Sequence, residues 1–288
     1  MNKYDKRRKY WLVLDCETAT LPDAMAYEGT ARQKVAIAKP LIYDLGWTVV
    51  DAQGRIYAKK NFLIAEIFSN PVVFNTAYYK DKRPLYLEKI AQGEISVVMW
   101  EQAIEELISD MVQCEAVGAY NAMFDFKKAL PFTDLYLSKV YSPDFQDWLN
   151  FQKSVMNDIA SGERYESNKD FEPEVFRFRG QVFPLFDVWG LSCQHIMNTD
   201  EYKDTARWND WYTASGKYYK TSAEMAYRFL TGNNGFDEAH TALEDAVIES
   251  VLFAECMRKA KKKIEMGIIY FPFKILGTTD LVGDISES

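Results

Sequence analysis

Trp11-Leu12-Val13-Leu14-Asp15-Cys16-Glu17-Thr18 is the stretch on which the reading of this chain turns: four apolar residues run straight into two carboxylates. The apolar run is too short for a helix and shows no polar alternation, so it reads as a strand buried on both faces. Side chains repeat every two residues along a strand, which aims Asp15 and Glu17 the same way with Cα atoms roughly 7 Å apart. Two carboxylates held that close repel each other unless a cation lies between them. Thr18-Ala19-Thr20-Leu21-Pro22 is turn chemistry. It puts the pair at or just past the strand's C-terminal end, where open α/β sheets bind ligands. An Asp-x-Glu alone is a weak signal in a chain with 42 acidic residues.

Composition sets the frame. The chain has 288 residues, 48% hydrophobic, 26% charged and an aromatic-rich 15% Phe, Trp and Tyr, as in a soluble globular protein with a sizeable core. No apolar run approaches the roughly 18 residues that a membrane helix needs. The charged segment 1–9 leads into only four apolar residues, too few for a signal-peptide core. Cys16, Cys114, Cys193 and Cys256 lack metal or redox spacing, and they are expected as buried free thiols of a cytoplasmic protein. The net charge of −8 disfavours broad wrapping of nucleic acid. It leaves room for a nucleic-acid enzyme, because a carboxylate-rich site is itself several negative charges until metal fills it.

Working outward from the first strand, 41–50 and 55–65 read as two strands joined by the hairpin turn Asp51-Ala52-Gln53-Gly54. The apolar stripe Ala103, Ile104, Leu107, Ile108, Met111 and Val112 predicts a helix over 100–112. A short strand, 115–120, gives way to Asn121-Ala122-Met123-Phe124-Asp125 and a helix to about Leu137. Residues 182–189 read as a strand running into a helix through Cys193. Ser or Thr at 221–222 with Glu224 predicts a capped helix to Leu230, and the last long helix follows His240 to about Lys263. The pieces 138–181 and 198–220 read as irregular and aromatic-rich. No linker marks a boundary, so one domain with an insertion is the simpler organisation.

Two further pieces carry chemistry. Asp125 follows a strand, and His240 stands five residues before Asp245. Five helical positions are about 500°, or about 140° around the axis, so the two share no face of a regular helix. They converge if Asp245 lies in the first turns while His240 sits at or before the N-terminus. Small Ala242 and Ala246 let that helix lie close to the sheet. Taken singly, Asp125 also fits a helix N-terminal acid and His240 a cap or loop histidine. His195 reads as structural.

The order Asp-x-Glu, Asn-Ala-x-Phe-Asp, His-x4-Asp resembles the DEDDh family of 3′-5′ exonucleases, which includes proofreading subunits of bacterial replicative polymerases, ribonuclease T and oligoribonuclease. Asp15-Cys16-Glu17-Thr18-Ala19-Thr20-Leu21 is similar to that family's Asp-Thr-Glu-Thr-Thr-Gly-Leu, departing at Cys16, Ala19 and Thr20. Phe186-Asp187-Val188-Trp189-Gly190-Leu191 resembles its Asp-Thr-Leu-x-Leu segment, and 237–246 its third motif. The resemblance covers most of 10–135 and 182–260. It implies an α/β, ribonuclease H-like fold: a mixed five-stranded sheet, three antiparallel strands first, flanked by helices. On this reading 1–263 form the exonuclease domain, with insertions at about 138–181 and 198–220, and 264–288 a C-terminal extension.

The same resemblance implies that Asp15, Glu17, Asp125 and Asp245 hold two divalent cations, Mg²⁺ or Mn²⁺, with His240 as general base. Leu21 would be an apolar wedge near the 3′-terminal base. Thr18 and Asn121 would contact the terminal nucleotide, and Phe124 is either core or stacking platform. The expected partner is a single-stranded nucleic acid 3′ end, DNA favoured over RNA, with an RNA-directed exonuclease and a catalytically silent binding module as alternatives. Three motifs stay open. Arg207-Trp208-Asn209-Asp210-Trp211-Tyr212 with Lys217-Tyr218-Tyr219-Lys220 is either a strand grip or an aromatic mini-core. The apolar stretch 267–276 either packs back on the domain or docks a polymerase or replication partner. The basic run 258–263 either suits a helix C-terminus or meets phosphates.

Overall fold

The computed structural model describes residues 4, 5, 7–20, 39–140 and 172–279. Leu21 and most of the first insertion lie outside the described residues.

The chain begins as an antiparallel meander: β1 (Trp11–Thr20), β2 (Pro40–Val50) and β3 (Ile56–Ile64). β2 is buried along its whole length, as its near-unbroken apolar sequence demands. The hairpin closes where expected. Asp51 accepts the amide of Gly54 at its carbonyl (2.9 Å) and those of Gln53 and Arg55 at its carboxylate, and Gly54 takes φ 77. β1 then pairs in parallel with β5 (Ala116–Ala119), and β5 with β7 (Gln181–Asp187). The order β3-β2-β1-β5-β7 is the ribonuclease H-like arrangement.

The described residues form seven strands, not five. β4 (Ser96–Val98) adds in parallel to β3 and is only three residues long. β6 (Val175–Phe178) pairs with β7 across a two-residue turn, Arg179-Gly180, with φ 46 and 78. Two successive positive φ values make a tight hairpin turn, usually signalled by Asn-Gly or Asp-Gly. Arg-Gly is a weaker signal, which is why β6 hides within a stretch that reads as irregular.

Six main helices cover the sheet: α1 (Arg83–Ala91), α2 (Trp100–Met111), α3 (Leu130–Val140), α4 (Asp200–Trp208), α5 (Ala223–Thr231) and α6 (Ala242–Lys259). Even-numbered β1 residues Leu12, Leu14 and Cys16 join one core, with Trp100, Ile104 and Leu107. Trp11 and Val13 join the other, with Leu252 and Phe253 of α6. Glycine lets α6 approach: a Cβ on Gly46 would meet the backbone N of Leu243 at 2.3 Å. α6 ends at Lys259, short of Lys263, because Lys261 and Lys262 turn into left-handed backbone (φ 51 and 63).

The 198–220 stretch is not irregular throughout. Thr199 caps α4 by accepting the Tyr202 amide, and Trp211 and Tyr219 are buried in the α6-side core. Trp211 packs on Tyr202 at 6.2 Å, so this is the mini-core; Trp208 alone stands out, 89% exposed. The described part of the C-terminal stretch packs back on the domain. Gly267 donates to the Leu185 carbonyl (2.7 Å), and Phe273 lies against Trp189 and Tyr218. All four cysteines are free; Cys114 is half-buried and the others are buried. No described helix is long and apolar enough to cross a membrane.

Candidate active site

Three stretches bring four acids to the C-terminal end of β1. Asp15 and Glu17 leave β1 on the α6 side, the face they share with Trp11 and Val13. A bulge follows at once: Glu17 pairs with Asp44 but Thr18 with Ile42, so Tyr43 is the extra residue. A bulge bends the strand and re-aims side chains, and such sites border active centres.

Asp125 arrives differently. Past β5, Asn121 turns at φ 69, and the buried Asp187 carboxylate accepts the Ala122 amide (3.3 Å), fixing the turn. A single helical turn, Ala122–Phe124, gives way to a π-helical segment, Asp125–Ala129, instead of the continuous helix expected. Asp125 is buried, and its Oδ1 accepts the Cys16 thiol of β1 at 2.9 Å. Cys16, where the sequence departs from the DEDDh pattern it resembles, thus points at a candidate site acid from the other face of β1.

Asp245 sits in the first turn of α6. The start of that helix is held by the buried Asp44, whose Oδ2 accepts the Ala242 amide (3.0 Å) and the Tyr86 hydroxyl (2.9 Å). His240 lies outside the helix in left-handed backbone, φ 50, as its angular offset from Asp245 required. Its ring stacks on Tyr79 at 4.7 Å, and its Nδ1 lies 4.0 Å from Asp245 and 3.8 Å from Glu238. Glu17, His240 and Asp245 each place one ligand-type atom within 4.8 Å of the others. Asp245 Oδ1 is buried with no partner among the described residues.

Electrostatics follow from the crowding. Burial first, then the negative charges of Glu249, Asp125, Glu17 and Asp245, holds Asp15 well above the usual carboxylate range. Burial likewise lifts Glu17 to about 9, Asp245 to about 8 and Asp125 to about 7. His240 moves the other way, pulled down first by burial and then by the Lys82 charge. Lys82 lies over the Tyr79 ring at 4.7 Å and donates to the Ala239 carbonyl, a cation beside the acids.

Glu249 goes unnoticed in the sequence. It is buried one turn after Asp245, accepts the Tyr120 amide (3.0 Å), and raises Asp15 more than any other charge does. Its i+4 spacing on an apolar face was the available signal. Asp44, an acid inside an apolar strand, was equally visible; nothing in the sequence pointed to Tyr79. Thr18 is half-buried just past the bulge, and Asn121 is exposed at its turn. Phe124 packs against the α2-side core.

No protein-family model matches the sequence, and comparison with curated proteins finds no match. Among solved structures the chain is similar to cell-death related nuclease 4 (CRN-4), with TM-score 0.39 and 11% identity, over 87% of this chain and 64% of that one. The chain therefore spans just under two thirds of that protein's length. It is also similar to a structure described as 3′-end specific recognition of histone mRNA stem-loop by 3′-exonuclease, with TM-score 0.27 and 9% identity, over 64% of this chain and 73% of the other. Likenesses this distant bear on neither substrate nor reaction.

The donor set does. Carboxylate oxygens are what hard divalent cations prefer. An oxygen of Asp245 left unpartnered among the described residues, amid acids whose charged forms burial disfavours, fits a cation as the missing partner.

Proposed function

We propose that the chain is a metal-dependent 3′-5′ exonuclease that removes nucleotides from the 3′ ends of single-stranded nucleic acid, with DNA as the substrate. The observation that carries this reading is the grouping of Glu17, His240 and Asp245, with Asp245 Oδ1 buried and unpartnered among the described residues and Asp15 close enough to feel the charges of Asp125, Glu17 and Asp245.

Asp15, Glu17, Asp125 and Asp245 would hold two divalent cations, Mg²⁺ or Mn²⁺, which when bound supply a hydroxide nucleophile and charge relief at the attacking and leaving oxygens. The chain's own residues do the rest. Burial and Lys82 keep His240 neutral near pH 7, ready to accept a proton. Its Nδ1 is turned toward Glu238 and Asp245, which leaves Nε2 for the proton of the attacking water. Tyr79 stacks on the imidazole and limits its rotation. Thr18 and Asn121, at the two turns flanking the acids, contact the terminal nucleotide, and Leu21 is assigned the wedge beside its base. Phe124, packed on the core, braces the Asp125 turn from behind.

Turnover on matched single-stranded DNA and RNA oligonucleotides with Mg²⁺, beside a chelator control, tests the proposal. Release of mononucleotides from the 3′ end, abolished by chelation, is expected. Preference for the RNA strand would reassign the substrate. No turnover on either, with oligonucleotide still bound, would leave a silent binding module.

A further inference from the structure

At the other end of β1 the chain builds a surface of opposite character. Arg7-Arg8-Lys9 leads into Trp11, and the run Arg258-Lys259-Ala260-Lys261-Lys262-Lys263 leaves α6 beside it. Between these two segments lies a hollow of about 490 Å³, lined by Arg8, Lys9, Trp11, Gln53, Met257 and Lys262 among others. Small-molecule sites occupy roughly 300–1,000 Å³, so the volume suits a ligand larger than a bare anion. Trp11 and Glu17 are six residues apart on one strand, about 20 Å, so the hollow is no part of the acidic site.

The lining is set for an anion. Arg8 donates to the Tyr57 hydroxyl and lies over the Tyr57 ring at 5.7 Å, which holds the guanidinium in place. Lys262 is fixed by its backbone, whose amide donates to the Met257 carbonyl at 2.7 Å. Glu255 takes up Arg258 and Lys259, and Glu115 takes Lys9 (3.1 Å), but no carboxylate pairs with Lys262 among the described residues. Asp51, the acid on the wall, is committed to the amides of Gln53 and Arg55 and to the Tyr57 hydroxyl.

Trp11 forms part of the floor as an apolar ring: it is 7% exposed, and its indole Nε1–H is buried out of reach of a ligand in the hollow.

We infer that this hollow is a second, non-catalytic binding site for a nucleoside phosphate, either a free mononucleotide or one unit of a strand. The phosphate lies between Arg8 and Lys262, which line the hollow from two separate segments. Met257 and Ala52 supply an apolar wall for the base. Two cations brought from separate segments, beside an apolar wall, favour a nucleotide over inorganic phosphate alone. The inference does not depend on the reaction proposed for the acidic end.

Titration calorimetry in EDTA, with deoxyadenosine monophosphate and with a short oligothymidylate as probes, tests it while the carboxylates are kept metal-free. Binding by the wild-type chain is expected, and the double variant Arg8→Ala/Lys262→Ala should weaken it by roughly tenfold or more, the scale of a lost charged hydrogen bond. Equal binding of both probes marks a mononucleotide site; binding of the oligonucleotide alone, falling with salt, marks a strand site. Wild type and double variant are compared at matched melting temperature, and metal-loaded turnover of a short substrate should be unchanged in the double variant. Absence of binding by the wild type, or equal affinity in the double variant, would overturn the site whatever the fate of the exonuclease assignment.

Discussion

The two ends of β1 treat charge in opposite ways. At the Asp15–Glu17 end the acids are withdrawn from water, and Asp125, Asp245 and Glu249 are buried outright. At the Trp11 end the cations stay in water: the Lys9 side chain is 69% exposed, and Arg8 lies at the surface. Burial makes the ionised form of an acid expensive unless a cation neutralises it, which suits a dehydrated, tightly held divalent ion. Solvated cations keep modest Coulomb strength and exchange ligands readily. On the functions proposed above, one end would hold an ion permanently enough for chemistry, and the other would meet an anion and release it.

The largest test of that contrast is Asp15→Ala. A bound cation is asked for several kcal/mol of transition-state stabilisation, and each 1.36 kcal/mol is tenfold, so turnover should fall by about 10³-fold or more. Differential scanning calorimetry with and without Mn²⁺ should show wild-type melting raised by the ion and the variant far less affected. A folded Asp15→Ala chain with near wild-type turnover would dissolve the distinction between the two ends.

His240→Ala comes next. A positioned general base contributes about 10²–10⁴-fold, and turnover should drop by that much while calorimetric Mn²⁺ binding stays close to wild type. Loss of the metal instead would make His240 a ligand, an outcome its closeness to Glu17 and Asp245 keeps distinct and measurable.

How much of this was legible in the sequence depends on the kind of signal. The first three strands, the hairpin turn and the short strand that becomes β5 could be read because apolar runs and a Gly turn are local, whereas their order in the sheet came only from the family resemblance. So could the convergence of His240 and Asp245, since helix geometry forced one of them outside the helix. β6 was lost because Arg179-Gly180 does not carry the usual turn residues, though its φ values do. The π segment at Asp125 leaves no compositional trace. Trp211 and Tyr218 left a strand grip open beside a mini-core because cations flank them in sequence; the rings turn inward and the cations outward. Composition gives residue types; only the register with α4 and the C-terminal stretch decides which way they face.

Glu249 sharpens the acid end from behind. It stands apart from the four motif acids, and its hydrogen bond to the Tyr120 amide ties α6 to the β5 turn that carries Asp125. Partners that orient a metal's ligands are worth about 10–100-fold in affinity or activity when lost. Glu249→Ala should therefore weaken Mn²⁺ binding and turnover on that scale. Glu249→Gln keeps an acceptor for the amide and should recover most of the loss; equal damage by both would mean that the charge itself is needed.

The smallest effect is on stability, and it needs no substrate. In metal-free protein Glu17 is lifted to about 9, Asp245 to about 8 and Asp125 to about 7, each chiefly by burial. In the unfolded chain such groups titrate near pH 4. Between about pH 4 and 9 the folded state thus holds protons that the unfolded state has released, so stability is fullest below the unfolded values and falls as pH rises through the folded ones. The melting temperature in chelator should decline from about pH 5 to 9, and Mn²⁺ should flatten the decline, raising the high-pH end most because the ion replaces the missing protons. Asp245→Asn should remove part of the slope, whereas Arg8→Ala/Lys262→Ala, at the solvated end, should leave it intact. A metal-free melting temperature that climbs across the same range would mean that the acids are stabilised in their charged form, and that the acid end is no more desolvated than the basic one.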